Sequence, residues 1–395
     1  MAVAFDPYDP AVIDDPYPSY AALRADEPVH RSEVAGAWIL SRHADVSAAL
    51  RDPATFSSAK GVSFNDFGGV GTLIGMDAPD HTRLRRILAS TFTPRAVAAL
   101  EPAITKVASD LIDAMAGRDR VDVVAELAAP LPTLVIAEML GIDPARWPDY
   151  KRWAEELNAL SWKAEAPEVV AAELGQAAGE PAMFFVQEVM KRKESPTDDL
   201  IGKLVTAQTD AGTANDSEIV GFCVLLMLAG NVTTTALIAS GIALLTDHPE
   251  VLQRLQAHPG GIPSAVEEML RLESPIQGFC RTLTVDTERH GVTMAEGDKV
   301  MLLFGAANRD GEVFDRPDDF ETARAPNPHL GFGAGAHLCL GAALARLEAR
   351  VAFEQLLPRL AGLDRIRDEP FTRVQSPAFR ELVSEPLAVT WRTPA

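Results

Sequence analysis

Ten residues near the C-terminal end carry the densest chemistry in the chain: Phe332-Gly333-Ala334-Gly335-Ala336-His337-Leu338-Cys339-Leu340-Gly341. Three glycines in this stretch let the backbone take positive φ and approach a flat ligand closely. The cysteine precedes a helix-patterned run, so its sulfur sits at a helix start, where the dipole and free N–H groups favour a thiolate. N–H donors around such a sulfur tune how strongly it pushes electrons onto a metal. The bland alternative is a buried structural thiol in a glycine-rich turn. Zinc fits poorly, because His337 is the one other cysteine or histidine at ligand spacing.

Three further constellations bear on the same question. Ile219 to Thr246 holds no charged residue and contains Ala229-Gly230-Asn231-Val232-Thr233-Thr234. A threonine here either bonds back to the carbonyl four residues earlier or marks a locally opened helix that holds water. The stretch is long enough to span a bilayer, yet Asn231, Thr233, Thr234, Thr235 and Ser240 lie in its middle and basic flanks are missing. A buried central helix explains it better. Glu268 and Arg271 stand one helical turn apart, a spacing that by itself describes many surface ion pairs. His81 and Arg85, four apart on one helical face, can donate to one anionic group.

The decapeptide fills every fixed position of Phe-Gly-x-Gly-x-His-x-Cys-x-Gly and resembles the haem-binding signature of cytochromes P450. The resemblance extends over nearly the whole chain, with motifs in family order. It implies that haem b is the cofactor, with Cys339 as the iron's proximal ligand and Phe332 and Gly341 beside it. It implies that His337, His81, Arg85 and Arg281 bind the haem propionates. It makes Glu268 and Arg271 a buried pair whose third partner comes from Pro317-Asp318-Asp319-Phe320. Asp319 stands where many relatives have arginine, so Arg324 is the expected substitute. Ala229 to Thr234 matches the oxygen-binding helix, with Thr233, Thr234 and Asn231 as candidate catalytic residues. One departure matters: Val232 occupies the place of the usual Asp or Glu, so protons must reach dioxygen through Thr233, Thr234, Asn231, water or the substrate.

Other elements must hold these residues. Short helices and a hairpin open the chain, with a turn at Ala35–Gly36. Residues 57–75, rich in Gly, Ser and Phe, read as a long ligand-binding loop. Helical patterns run from about Pro79 to Asp247, a further helix covers Pro263–Glu273, and strand-like stretches follow at Cys280–Val285 and Lys299–Phe304. The expected fold is mainly α with a minor antiparallel β-sheet, the cytochrome P450 fold, in one haem domain over residues 1–395. Candidate pocket residues are Phe64, Phe67, Leu226, Val232, Ile276, Phe279 and Phe379, an apolar set suited to a lipophilic substrate.

The formal net charge of −20 argues against nucleic acid and anionic membranes as partners. Three scattered cysteines suit a reducing compartment, here the cytoplasm. The N-terminal residues lack the basic start and apolar run of a signal peptide. The expected activity is insertion of one oxygen atom from O2 into a lipophilic substrate by a monomer, with ferredoxin and ferredoxin reductase carrying electrons from NAD(P)H. Rival readings are a peroxide-using or rearranging P450, and a haem protein that binds a ligand without catalysis.

Overall fold

A computed structural model describes residues 3–66, 73–207 and 214–392. Helices form the body, and the strands lie in small sheets. The largest sheet has five strands in the spatial order Val29–Ser32, Ala37–Leu40, Lys299–Leu302, Phe279–Leu283 and Phe56–Ser57. It is not purely antiparallel as the sequence suggests: Ala37–Leu40 runs parallel to Lys299–Leu302, with Trp38 opposite Val300. More than 250 residues separate these two strands, so no hairpin joins them and a parallel pairing is open to them. A three-stranded sheet of Arg120–Asp122, Pro386–Trp391 and Leu360–Arg365 has no counterpart in the sequence reading.

The central helix, Asp216–Asp247, begins at a capping box: the Asn215 side chain accepts from the Glu218 N–H, and the Glu218 carboxylate accepts from the Asn215 N–H. Its most apolar 18-residue window is 67% buried inside the protein, so packing accounts for a helix that has the length and apolarity to cross a membrane. It packs on the helices Pro130–Leu140, Trp147–Ser161, Pro167–Glu194 and Ala342–Leu356. Gly230 marks the closest approach to the first of these, since a Cβ there would lie 2.7 Å from Ile136.

The Glu268 carboxylate is the buried hub of the region before the cysteine loop. Both it and Arg271, on the helix Ile262–Leu272, are fully inaccessible. Arg271 Nε and Nη2 donate to the two Glu268 oxygens, each at 2.8 Å. Arg324 Nε, Asn327 Nδ2 and the Glu321 N–H donate to the same carboxylate at 3.0 to 3.2 Å. Burial pushes this carboxyl up, but the Arg271 and Arg324 bonds prevail and hold it below its ordinary value. Asp319 supplies only its backbone carbonyl, to Arg271 Nη2, while its side chain pairs with exposed Arg316. Removing one partner of a buried pair leaves charge uncompensated, at a cost of about 3–5 kcal/mol. Glu268→Gln should therefore lower the urea unfolding midpoint sharply. Asp319→Ala, which removes one exposed ion pair, should leave the midpoint within experimental error.

Candidate functional site around Cys339

The segment 330–341 is bonded to itself and to the side chains of Asn308 and Arg85. The Cys339 N–H donates to the Phe332 carbonyl at 2.9 Å, and the Gly333 N–H donates to the Leu330 carbonyl at 2.8 Å. Gly333 and Gly335 both have φ of +68°, and a Cβ on Gly335 would lie 2.3 Å from the Leu50 carbonyl. Only glycine meets both demands at that position. Gly341 differs: its φ is −83° and a Cβ would meet no protein atom within 4 Å. Cys339 retains an accessible surface although protein surrounds it closely. Burial raises its thiol, while the Gly341 N–H, Arg85, Arg346 and the Ala342 N–H act the other way. The sulfur thus stands just ahead of the helix Ala342–Leu356, as its place in the sequence suggests.

Four cationic or imidazole side chains converge beside this loop. The His81 and His337 rings lie 4.1 Å apart, and Arg85 donates to the Leu338 carbonyl. Arg281 is buried on the strand Phe279–Leu283, where Nη1 donates to its neighbour's carbonyl at 2.8 Å. Burial pulls this guanidinium down to about 10. His337 is pushed down to about 3, first by burial and then by Arg281 and His81. His81 Nε2 is buried with no hydrogen-bond partner.

On the central helix, Ala229 is exposed and Leu225 and Thr233 are part-exposed, although most of the surrounding helix is buried. Their spacing of four places them on one open face. The Thr233 hydroxyl donates to the Ala229 carbonyl at 2.8 Å, and the helix continues without a break. The local opening considered from the sequence is therefore not present, because this bond ties the threonine into the regular helix. Asn231 is buried on another face, where its Oδ1 accepts from Thr235 at 3.4 Å. Thr234 is buried as well. Leu226 and Val232 are buried at 9% and 2% exposure, and Val232 packs in the apolar cluster that also holds Trp162 and Phe379. Val224, Leu228 and Gly230 beside this face are part-exposed as well, whereas Asn231, Val232 and Thr234 turn into the packing.

These features fit haem. Buried cations and an unpartnered imidazole nitrogen accommodate a group carrying two carboxylates. Neither backbone nor protein packing demands glycine at 341, as a flat group lying close to the chain would. The family profile described as cytochrome P450 matches residues 262–367. Putative cytochrome P450 YjiB of Bacillus subtilis is 36% identical over 90% of this chain and 90% of its own length. Cyclomarin C epoxidase CymV of Salinispora arenicola is 38% identical over 87% of this chain and 88% of its own. CYP109E1 from Bacillus megaterium, solved in complex with testosterone, matches with a TM-score of 0.90 and 30% identity over 96% and 98% of the two chains. The chain belongs to the cytochrome P450 family. Its members are haem-dependent oxidoreductases that use O2, and this P450 has their fold.

An aromatic group in this P450 centres on Trp162, at the end of the helix Trp147–Ser161 and absent from the sequence-based candidates. Its ring lies 5.5 Å from Phe64, 6.3 Å from Phe279 and 6.4 Å from Phe379. Ile276 joins through its bridge to Phe379. Phe67 lies outside the described residues. Phe332 is covered by the Arg346 guanidinium at 4.4 Å, which is itself held by Glu267. Glu267 also bonds His329 at 3.0 Å and is held down at about 2: burial opposes this, but Arg346 and His329 overcome it. Neither Glu267 nor Trp162 belongs to a quoted motif, so only their positions in space distinguish them.

Glu348, on the last long helix, is fully buried, with Oε2 unpartnered, and burial raises it to about 8. Its folded value lies above its unfolded one, so the folded state keeps a proton that the unfolded chain releases. The contribution of Glu348 to stability is then greatest below about pH 4.5 and falls as pH rises toward 8. Glu348→Gln should remove that loss. By pH 8 its unfolding free energy should exceed wild type by on the order of 3 kcal/mol, one unit being about 1.4 and relaxation recovering part. Parallel urea curves for the two proteins across this pH range would contradict the assignment.

Proposed function

We propose that this P450 is a cytoplasmic monooxygenase whose haem domain spans residues 1–395 and which acts on an apolar organic substrate. Haem b is held by Cys339, with His81, Arg85, Arg281 and His337 taking its propionates and Phe332, Gly341 and Ala229 lying along it. When bound, haem supplies the redox chemistry that activates O2 for hydroxylation or epoxidation. The observation that carries this reading is an accessible cysteine beside the buried Arg281, the part-buried Arg85 and two imidazoles, none of them bonded to a carboxylate among the described residues. Electrons come from NAD(P)H through a separate ferredoxin reductase and ferredoxin. Arg83, Arg86, Arg346 and Arg350 give little support to a docking patch for the ferredoxin, because three of the four are engaged in ion pairs. Arg83 pairs with Glu218, Arg346 with Glu267, and Arg350 with Glu101 and Glu354.

The aromatic group around Trp162 supports an apolar substrate, with Phe64, Ile276, Phe279 and Phe379 as its walls. On the central helix, Thr233 is the residue placed to position a proton donor. Its hydroxyl is on the open face, whereas Val232, Asn231 and Thr234 turn into the protein. Glu268, Arg271 and Arg324 take no part in chemistry and hold the cysteine loop.

In the reduced protein, carbon monoxide should give the strongly red-shifted Soret band of a thiolate-ligated haem. Cys339→His should abolish it, since imidazole donates less charge to iron. Cys223→Ser and Cys280→Ser should keep it, and a normal band in Cys339→Ser would refute the ligand assignment.

Thr233→Ala should uncouple turnover, with NAD(P)H consumed and hydrogen peroxide released in place of product. Proton relays are worth about two to four orders of magnitude, so the loss should be large. Tight coupling in this variant with every substrate tried would reduce Thr233 to a helix residue.

A further inference from the structure

Two neighbouring carboxylates on the helix Ile262–Leu272 meet different partners. Glu268 closes the buried hub, whereas Glu267 bonds Arg346 on the helix that follows Cys339. Glu267 Oε1 accepts from Arg346 Nε at 2.7 Å and Oε2 accepts from Nη2 at 2.8 Å, so two planar groups meet fork on fork. His329 adds a bond to Oε2 at 3.0 Å. Its Nδ1 accepts the Gly331 N–H at 3.1 Å, which leaves Nε2 as the nitrogen that donates to Glu267. The His329 side chain is 4% exposed, so this end of the network is closed to water. Glu267 thereby ties together the chain before Cys339, through His329, and the chain after it, through Arg346.

An ordinary surface ion pair contributes little, because water screens it and two long side chains must be ordered. This pair has further contacts that lead to the cysteine. The Arg346 guanidinium lies 4.4 Å over the Phe332 ring, and the Phe332 carbonyl accepts the Cys339 N–H at 2.9 Å. The positive charges of Arg85 and Arg346 both act on the Cys339 sulfur. They differ in one respect. Arg346 is balanced by Glu267, while Arg85 is bonded to no carboxylate among the described residues.

Charge beside a metal ligand acts with a definite sign. Reduction of a thiolate-held haem adds one electron, so a net positive neighbour favours the reduced state and a net negative one the oxidised. With both partners present, the pair adds almost no net charge near the sulfur. Without the Glu267 charge it adds a cation, and without Arg346 an anion. A glutamine at 267 can still accept from Arg346, which keeps the guanidinium over Phe332 while removing the balancing charge.

We propose that Glu267 is a positioning residue for the cysteine loop: it sets Arg346 against Phe332, balances its charge, and so fixes the reduction potential of the haem. The proposal rests on Cys339 as the haem ligand. Glu267 and Arg346 act through Phe332 and through their combined field, not by touching substrate.

A spectroelectrochemical titration of the haem-loaded protein tests this. Glu267→Gln should raise the midpoint and Arg346→Gln should lower it, each changing the reduction equilibrium by about three- to tenfold, tenfold being about 59 mV for one electron. The double variant should return close to wild type, since both charges are gone. Asp247→Asn, which breaks a forked pair with Arg365 between other segments, should leave the midpoint unchanged. Where Arg346→Gln fails to retain haem, Arg346→Lys takes its place. It keeps the charge but loses the flat fork and the stacking, so the midpoint should fall by less. The Soret band of each reduced carbon monoxide complex reports the thiolate separately. A wild type without the red-shifted band would refute the ligand assignment on which the proposal stands. A normal band with unchanged midpoints in Glu267→Gln and in the Arg346 variant would overturn the proposal alone. Shifts of one sign in both would overturn it too, because that is the mark of loosened packing, as would an equal shift in Asp247→Asn.

Discussion

The structure around Cys339 depends on one buried carboxylate. Glu268 has no contact with solvent and yet stays ionised, because two guanidinium groups, a side-chain amide and a backbone N–H meet on its two oxygens. The consequences spread through Arg271, which also takes the carbonyls of Asn308, Pro317 and Asp319. Asn308 then donates to Ser274 and accepts from the Leu330 N–H at 2.6 Å. Leu330 is two residues before Phe332, whose carbonyl takes the Cys339 N–H. A chain of bonds thus runs from the helix Ile262–Leu272 to the cysteine through irregular backbone with little regular structure of its own. A loop of this kind would otherwise sample many conformations, and a metal ligand needs one.

The parts of the site that were legible in the sequence are those whose chemistry forces local spacing. The cysteine loop announces itself through glycines, two of which have positive φ and one of which abuts the Leu50 carbonyl. Glu268 and Arg271 are separated by one helical turn, and the substitute Arg324 was inferred because Asp319 has the wrong charge for the vacancy. The geometry agrees, with Arg324 on Glu268 and Asp319 turned outward. The less legible parts are assembled across the chain. Trp162 meets Phe64, Phe279 and Phe379 from four separate segments, so no spacing rule could collect them. The parallel pairing of Ala37–Leu40 with Lys299–Leu302 has the same origin. Alternation marks a strand but does not say which way its neighbour runs.

The central helix shows that consecutive residues of one motif fall on different faces. Six consecutive residues, Ala229 to Thr234, match the family pattern, but a helix turns through 100° per residue and cannot aim them all at one place. Ala229 and Thr233, four apart, share the open face. Asn231 and Val232 fall on sides that other elements cover. Sequence reading treated Val232 as a pocket residue whose apolar side chain breaks the proton supply. In the fold it belongs to the same apolar cluster as Trp162 and Phe379. A carboxylate in its place would enter that cluster with no partner, at considerable cost in desolvation.

That packing also bears on why the acid is missing. In a helix held regular by the Thr233–Ala229 bond, an acidic side chain at 232 would need either the backbone to open or a cation to meet it. The guanidinium and imidazole groups of this region lie elsewhere: His81, Arg85, Arg281 and His337 gather beside the cysteine loop. Val232 itself packs among apolar side chains, Trp162, Ala378 and Phe379 included. Valine is therefore the residue that the local packing favours, and Thr233 carries the hydroxyl on the open face. The departure from the family pattern is then a consequence of how the helix is packed.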